Sequence, residues 1–267
     1  MKIVVCVKQV PDDSVEIRLN AEGKPNIEKV AQVVNAFDTY SLEMAARLKE
    51  ATDGEITVIC IGDDSAKNSL KNCLAVGADN AILISDAAFE GSDARGISHI
   101  LKNAIAKIEA DNGASFDLIF CGKEATDQAL GQVGLQLAKA LDFGVITNII
   151  DITAEDGRVS AKQETEEGYR MIESAMPCVV TVTKPEYDPR YPTIKNKMAA
   201  RKKAIGTLDA AALTDLDTQK IGEKGTLVKT LSIFEPPKKE AGLKIQEESD
   251  EESAIKAVAL MDEAKVF

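Results

Sequence analysis

The stretch "DLIFCGKEATDQALGQVGLQLAKAL", Asp117 to Leu141, decides the fold. An apolar, strand-like run ends at Cys121, a loop holding Gly122, Gly131 and Gly134 follows, and a helical pattern then begins. Strand, glycine loop and helix together suggest a phosphate seat, because the first turn of a helix presents unpaired N–H groups and the positive end of its dipole. Neither familiar glycine fingerprint is present. The spacing is not GxGxxG, and Gly122-Lys123 is followed by Glu124 where a P-loop needs Ser or Thr. An ordinary tight strand-to-helix connection without a ligand stands beside the phosphate reading.

The same alternation extends outward. Strand-like runs occur at 2–8, 55–62, 80–86 and 117–122, and helical patterns at 39–51, 64–77, 93–111 and 130–142. This predicts an α/β fold with a parallel sheet covered on both faces, since uniformly apolar strands imply burial on both sides. Ligands in such sheets bind beyond the carboxyl ends of the strands. The rule selects "KQVPDD" after the first strand, "IGDD" after the second and the loop from Gly122, which should converge on one crevice. Asp38 or Thr39 is expected to cap the following helix, leaving Asn35 free at the entrance.

Beyond Asp142 the pattern turns β-rich, with an Asp-Gly turn at 156–157 and an apolar strand at 178–183, read as an appendage or an added sheet edge. Residues 1–184 are therefore assigned to a nucleotide-binding α/β domain that includes a β-rich segment at 145–184. Residues 185–205 form a proline-punctuated loop with a basic segment, either a solvated helix face or a docking surface for an acidic partner. Residues 206–267 form an extended C-terminal arm, packed on its own domain or on another subunit.

A net charge of −12 argues against nucleic-acid or anionic-membrane partners. No apolar run reaches the roughly 18 residues of a membrane span, and no cleavable leader precedes "KIVVCVKQV", so a cytoplasmic protein without membrane insertion is expected. The five scattered cysteines read as buried reduced thiols, and His99 as a partly exposed helical residue. No paired carboxylates, Ser/His/Asp set or metal-ligand spacing emerges, so no catalytic residue or metal site is assigned. Any chemistry belongs to a cofactor.

The loops suit an adenine nucleotide. The strand end from Val5 to Val7 offers an apolar sandwich for the base, Gly122 and Gly131 permit close backbone approach, and the helix start at Gly131 to Gly134 can receive the phosphate. Asp127 and Gln132 stand where ribose or phosphate could be oriented. A stand-alone adenine-nucleotide sensor is one function compatible with these features.

Six segments, "KIVVCVKQVPD" at 2–12, "VVNAFDTYSLEMAARLKE" at 33–50, "CLAVGAD" at 73–79, "DLIFCGKEATD" with "GQVG" at 117–134, "MPCVVTV" at 176–182 and "DPRYPTIKNKMAARKK" at 188–203, occur in the order found in the β subunit of electron transfer flavoproteins. The chain resembles that family over almost its whole length. The resemblance implies a Rossmann-like adenine-nucleotide-binding domain and a heterodimer with an α subunit. It also implies nucleotide contacts at Cys6, Pro11, Asn35, Ala36, Phe37, Asp38 and Ile61. The loop would add Gly122, Lys123, Glu124, Ala125, Thr126 and Asp127, then Gln128, Ala129, Leu130, Gly131, Gln132 and Val133.

In the ordinary branch of the family the nucleotide is a structural AMP. In the electron-bifurcating branch it is FAD, which accepts hydride from NADH and divides the electrons between an acyl-CoA-dehydrogenase-like partner and ferredoxin or flavodoxin. "KQVPD" and "NAFDTY" resemble the bifurcating members more closely. The chain departs from the family at Ala36, where proline is common, and at Gln128 to Leu130, where Gly-Asp-Thr often stands. Arg170 is a third departure, since an acidic or amide residue is common near it. The resemblance further implies partner docking through Ile194, with Lys195, Lys197 and Met198 around it, and an arm that clasps the α subunit.

Overall fold

The computed structural model describes residues 1–238 and 241–266. The chain divides into two compact units, residues 1–17 with 25–231, and residues 18–24 with 232–267.

The first unit opens with strand β1 (Lys2–Val7), a ribbon of β2 (Gln9–Pro11) and β3 (Gln32–Val34), and helix α1 (Ala36–Thr52). Next come β4 (Glu55–Ile61), α2 (Ala66–Val76), β5 (Asn80–Ile84), α3 (Ala94–Asn112), β6 (Leu118–Gly122) and α4 (Val133–Leu141). The β-rich part follows as β7 (Gly144–Glu155), β8 (Arg158–Thr165), β9 (Gly168–Ala175) and β10 (Cys178–Val182), and then come α5 (Ile194–Lys202), β11 (Gly206–Leu208) and the short α6 (Gly222–Gly225).

Nine strands make one sheet in the order β11-β5-β4-β1-β6-β10-β7-β8-β9, parallel from β11 through β7 and antiparallel beyond it. The strands are apolar on both faces because both are covered. Ile3, Val5 and Val7 pack with α1 and α2 on one side, and Val4 and Cys6 pack with α3 and α4 on the other. The β-rich segment is thus an added sheet edge. β7 pairs with β10 through its first half and with β8 through its second, the register shifting near Asn148, whose φ is +52°.

α1 starts three residues before the predicted helix and α4 three residues after, because Asn35 occupies the N-cap position of α1 and Gly131 (φ +61°) still belongs to the loop. Of the arm expected over 206–267, residues 206–208 form β11 beside β5, and the first unit runs to residue 231. Residues 239, 240 and 267 of that arm lie outside the described residues.

The second unit joins a turn around Asn20 to the arm, Leu19 N donating to Glu235 Oε1 at 2.9 Å. It ends in helix α7 (Asp250–Glu263), whose N-cap Ser249 accepts from Glu252 N. Asp250, Glu251 and Glu252 lie in its first turn, where the helix dipole favours negative charge. Ile255, Val258 and Met261 are exposed. Among the described residues no helix is long and apolar enough to cross a membrane.

Candidate functional site

The chain leaves β1 for β4 on one side and reaches β6 on the other, so the strand order reverses between β1 and β6. That crevice is where a parallel α/β sheet binds ligands. Asp38, in the first turn of α1, spans it. Its Oδ2 accepts from Lys8 N at 2.7 Å, just past β1, and its Oδ1 from Gly122 N at 3.0 Å, at the end of β6. Gly122 is required by this approach, since a Cβ there would stand 2.4 Å from Asp38 Oδ1 and 2.8 Å from Phe37 Cβ. Burial pushes the Asp38 carboxyl up to about 7 against the lowering effect of the two backbone donors.

Asn35 is buried rather than free at the entrance, and neither Asp38 nor Thr39 caps α1. The Asn35 amide is turned to the loop after β6, Nδ2 donating to Glu124 O at 2.8 Å and Oδ1 accepting from Thr126 N at 3.0 Å. Lys8 Nζ reaches both Asp127 oxygens, at 2.8 and 2.6 Å. The loop then turns on the Ala125 carbonyl, which accepts from Gln128 N and Ala129 N, and passes through two left-handed residues, Ala129 (φ +50°) and Gly131.

The loop delivers the chain to α4, whose N-cap Gln132 makes no side-chain cap bond. The first N–H groups of α4 therefore retain their capacity for an acceptor from outside. Gly134 lets this helix sit close to the sheet, a Cβ there lying 2.6 Å from Thr181 Cγ2. Between α4 and the strand ends lies a narrow cleft of about 160 Å³.

Cys6, Val7, Lys8 and Ile61 line the cleft on the strand side, together with Asn35, Asp38 and Cys121. The loop contributes Gly122, Lys123, Glu124, Ala125 and Gln128, and Leu130 to Val133 complete that side. The remaining expected residues stand elsewhere. Pro11 ends β2, Ala36 faces another groove, and Phe37 stacks edge-on against Tyr40. Thr126 serves through its backbone, Asp127 is held by Lys8, and Ala129 makes the turn. Of the expected base sandwich, Cys6 and Val7 reach the cleft, whereas Val5 is not in its lining and packs in the core with α1 and α2. "IGDD" gives only Ile61, since Asp63 accepts from Ser65 N and Asp64 pairs with Lys67.

The far wall, Ser92, Asp93, Ala94, Ile97 and Leu101 at the start of α3, was not anticipated. Its local signal was legible: Asp93 caps α3 by accepting from Gly96 N at 2.9 Å. All five cysteines are free and buried. The neighbouring Cys121 thiol and burial hold Cys6 well above the usual thiol range, so Cys6 stays protonated at neutral pH. His99 is half-buried on α3, its Nε2 accepting from Asp217 N, and burial lowers its pKa. Among the described residues no group of three or more His, Cys, Asp or Glu side chains is placed to hold a metal ion.

The residues expected to dock a partner lie on a separate, anchored element. Thr193 caps α5, and Ile194 is 81% exposed and Met198 59%. The preceding loop is held by Arg190, whose backbone N and Nε donate to Glu43 Oε2 at 3.0 and 2.8 Å while its Nη1 reaches Glu50. Burial raises the Glu43 carboxyl, but the donors of Arg190 and Arg47 outweigh it and keep the group below its ordinary value. Arg47 also covers the Tyr187 ring at 3.7 Å. At the other end of α5, Lys71 of α2 donates to the carbonyls of Ala200, Arg201 and Lys203, and Lys203 Nζ returns to those of Ala78 and Asp79. Lys195 and Lys197 lie on the exposed first turn beside Ile194.

Fold and cleft together define a Rossmann-like α/β protein with an open crevice at its topological switch point. Residues 26–213 match the electron transfer flavoprotein domain, and the chain belongs to that family. It is 43% identical over 263 residues to the electron transfer flavoprotein subunit beta of Megasphaera elsdenii, covering 96% of this chain and 95% of that one. It is 36% identical to the acryloyl-CoA reductase electron transfer subunit gamma of Anaerotignum propionicum, over 92% of both chains. To the caffeyl-CoA reductase-Etf complex subunit CarD of Acetobacterium woodii it is 33% identical over the full length of both.

Proposed function

We propose that this chain is the β subunit of a heterodimeric electron transfer flavoprotein and holds FAD with its adenine end in the β1/β6 crevice. In this reading the complex takes electrons from NADH and passes them to an acyl-CoA-dehydrogenase-like flavoenzyme and to ferredoxin or flavodoxin. The observation that carries it is the loop clamped by Asn35, which leads into an α4 N-terminus without a side-chain cap. Full-length likeness to subunits named for acryloyl-CoA and caffeyl-CoA reductases supports the choice of electron acceptor.

FAD, when bound, supplies the hydride- and electron-accepting chemistry. The residues of this chain bind and orient it. Cys6, Val7 and Ile61 would give the base an apolar surface, Lys123 to Ala125 with Gln128, Leu130 and Gly131 would flank the ribose and phosphate, and the first N–H groups of α4 would receive the phosphate charge. No side chain of the cleft is asked to transfer a proton.

A second reading replaces FAD by a structural AMP. The narrowness of the cleft favours it, since the adenine end common to both ligands accounts for the enclosed space and a flavin must extend beyond the mouth. Extraction of the purified heterodimer separates the two. Two FAD per heterodimer is the expected result, whereas one FAD and one AMP overturns the bifurcating assignment and leaves the electron-carrier reading intact.

A further inference from the structure

A second groove, of about 700 Å³, runs between β3, α1, α2 and the loop 188–192. Val34, Tyr40, Leu42 and Val76 supply its apolar surfaces, and Lys197 of α5 stands at its edge. Its roof is pinned, because Arg190 is bonded to the buried Glu43 and to Glu50, so the groove is formed before any partner arrives. Tyr191, 92% exposed, lines it, and the exposed Ile194 and Met198 follow in sequence on α5. Exposed apolar side chains beside an apolar groove suit a protein-binding surface.

The charge on its α5 side is positive, while Asp188 adds one carboxylate to the lining. Lys195, Lys197, Arg201 and Lys202 are gathered on α5 in a chain whose net charge is −12, while Lys203 and Arg190 are engaged internally. A partner complementary to this face carries carboxylates around an apolar projection.

We infer that the groove is a socket for an apolar side chain of the electron-exchanging flavoenzyme, flanked there by acidic residues. Docking is then an exchange, with Ile194 entering the partner and a partner side chain entering this chain. The inference rests on the docking reading of Ile194 and adds a second, receiving contact to it.

The test uses the intact heterodimer and the flavoenzyme that reoxidises it. Asn72, exposed on α2 at the groove, is replaced in Asn72→Trp so that an indole fills the socket. The expected result is a KM for the flavoenzyme raised about 10-fold, the scale of a lost interface anchor, with kcat and bound nucleotide unchanged. Lys197→Glu should raise KM similarly and flatten the fall of kcat/KM with salt. If Asn72→Trp fails to fold, Val33→Asp on the exposed β3 edge is scored in the same way. An unchanged KM in the folded socket variant, with a raised KM in Ile194→Asp, overturns the socket alone. An unchanged KM in Ile194→Asp overturns the docking reading itself.

Discussion

The Asn35 amide receives Thr126 N at 3.0 Å across 91 residues of sequence, and the same amide donates to Glu124 O. One side chain thereby satisfies two backbone groups of the loop that borders the cleft. Asn35→Ala leaves both unpaired in a buried place and should cost about 1–3 kcal/mol. A lower Tm and faster loss of bound nucleotide on gel filtration are expected. A variant that keeps its nucleotide as long as the parent would show that the loop holds its shape without the clamp.

Asp38 links the crevice to pH. Its carboxyl is raised to about 7 in the folded chain against about 3.9 when unfolded, so the folded state binds the extra proton between those values. The stabilisation is fully present below about pH 4 and is lost as pH rises through about 7. Urea melts of the parent and of Asp38→Asn across pH 4 to 8 isolate this contribution, because other carboxylates titrate in both. The difference in stability should shift against the parent as pH rises. A pH-independent difference would contradict it.

Gly122→Ala drives a methyl group into Asp38 Oδ1 and the first turn of α1. Overpacking of this kind costs about 1–3 kcal/mol. Because the clash forces α1 from the end of β6, the purified variant should also contain less nucleotide, read from its absorbance spectrum.

Ile194→Asp should weaken transfer to the flavoenzyme about 10-fold or more by replacing an exposed apolar anchor with a charge. Nucleotide content should be unaffected, since α5 is absent from the cleft lining. Loss of nucleotide in this variant would separate Ile194 from the docking role.

Arg190→Met removes the guanidinium from Glu43, whose side chain is 3% exposed, leaving Arg47 as its cation. Since Arg190 is itself partly exposed, a loss of about 1–3 kcal/mol is expected. Proteolysis should accelerate within residues 184–193. Equal cleavage rates in parent and variant would argue that the loop is anchored elsewhere.

The strands of the parallel sheet were legible because burial on both faces leaves uniformly apolar runs such as "KIVVCV" and "EITVICI". The loop from Gly122 was legible because glycine marks both the approach of Asp38 and the left-handed turn at Gly131. The role of Asn35 was misjudged because the helix was expected to begin at 39 under an Asp38 or Thr39 cap, whereas it begins at Ala36 and the Asn35 side chain is spent on a loop distant in sequence. The α3 wall escaped notice for a related reason, as Asp93 looks like a simple cap and only the folded sheet sets it opposite α4. Nothing in the local pattern pairs Arg190 with Glu43, 147 residues away.

The bridging of two strand ends by Asp38 carries a mechanical consequence. Lys8 N and Gly122 N are held by different oxygens of one carboxyl group, so the spacing of the crevice is set by a single rigid group and two hydrogen bonds rather than by several side chains that repack independently. A ligand seated there meets a base whose width one carboxyl group sets.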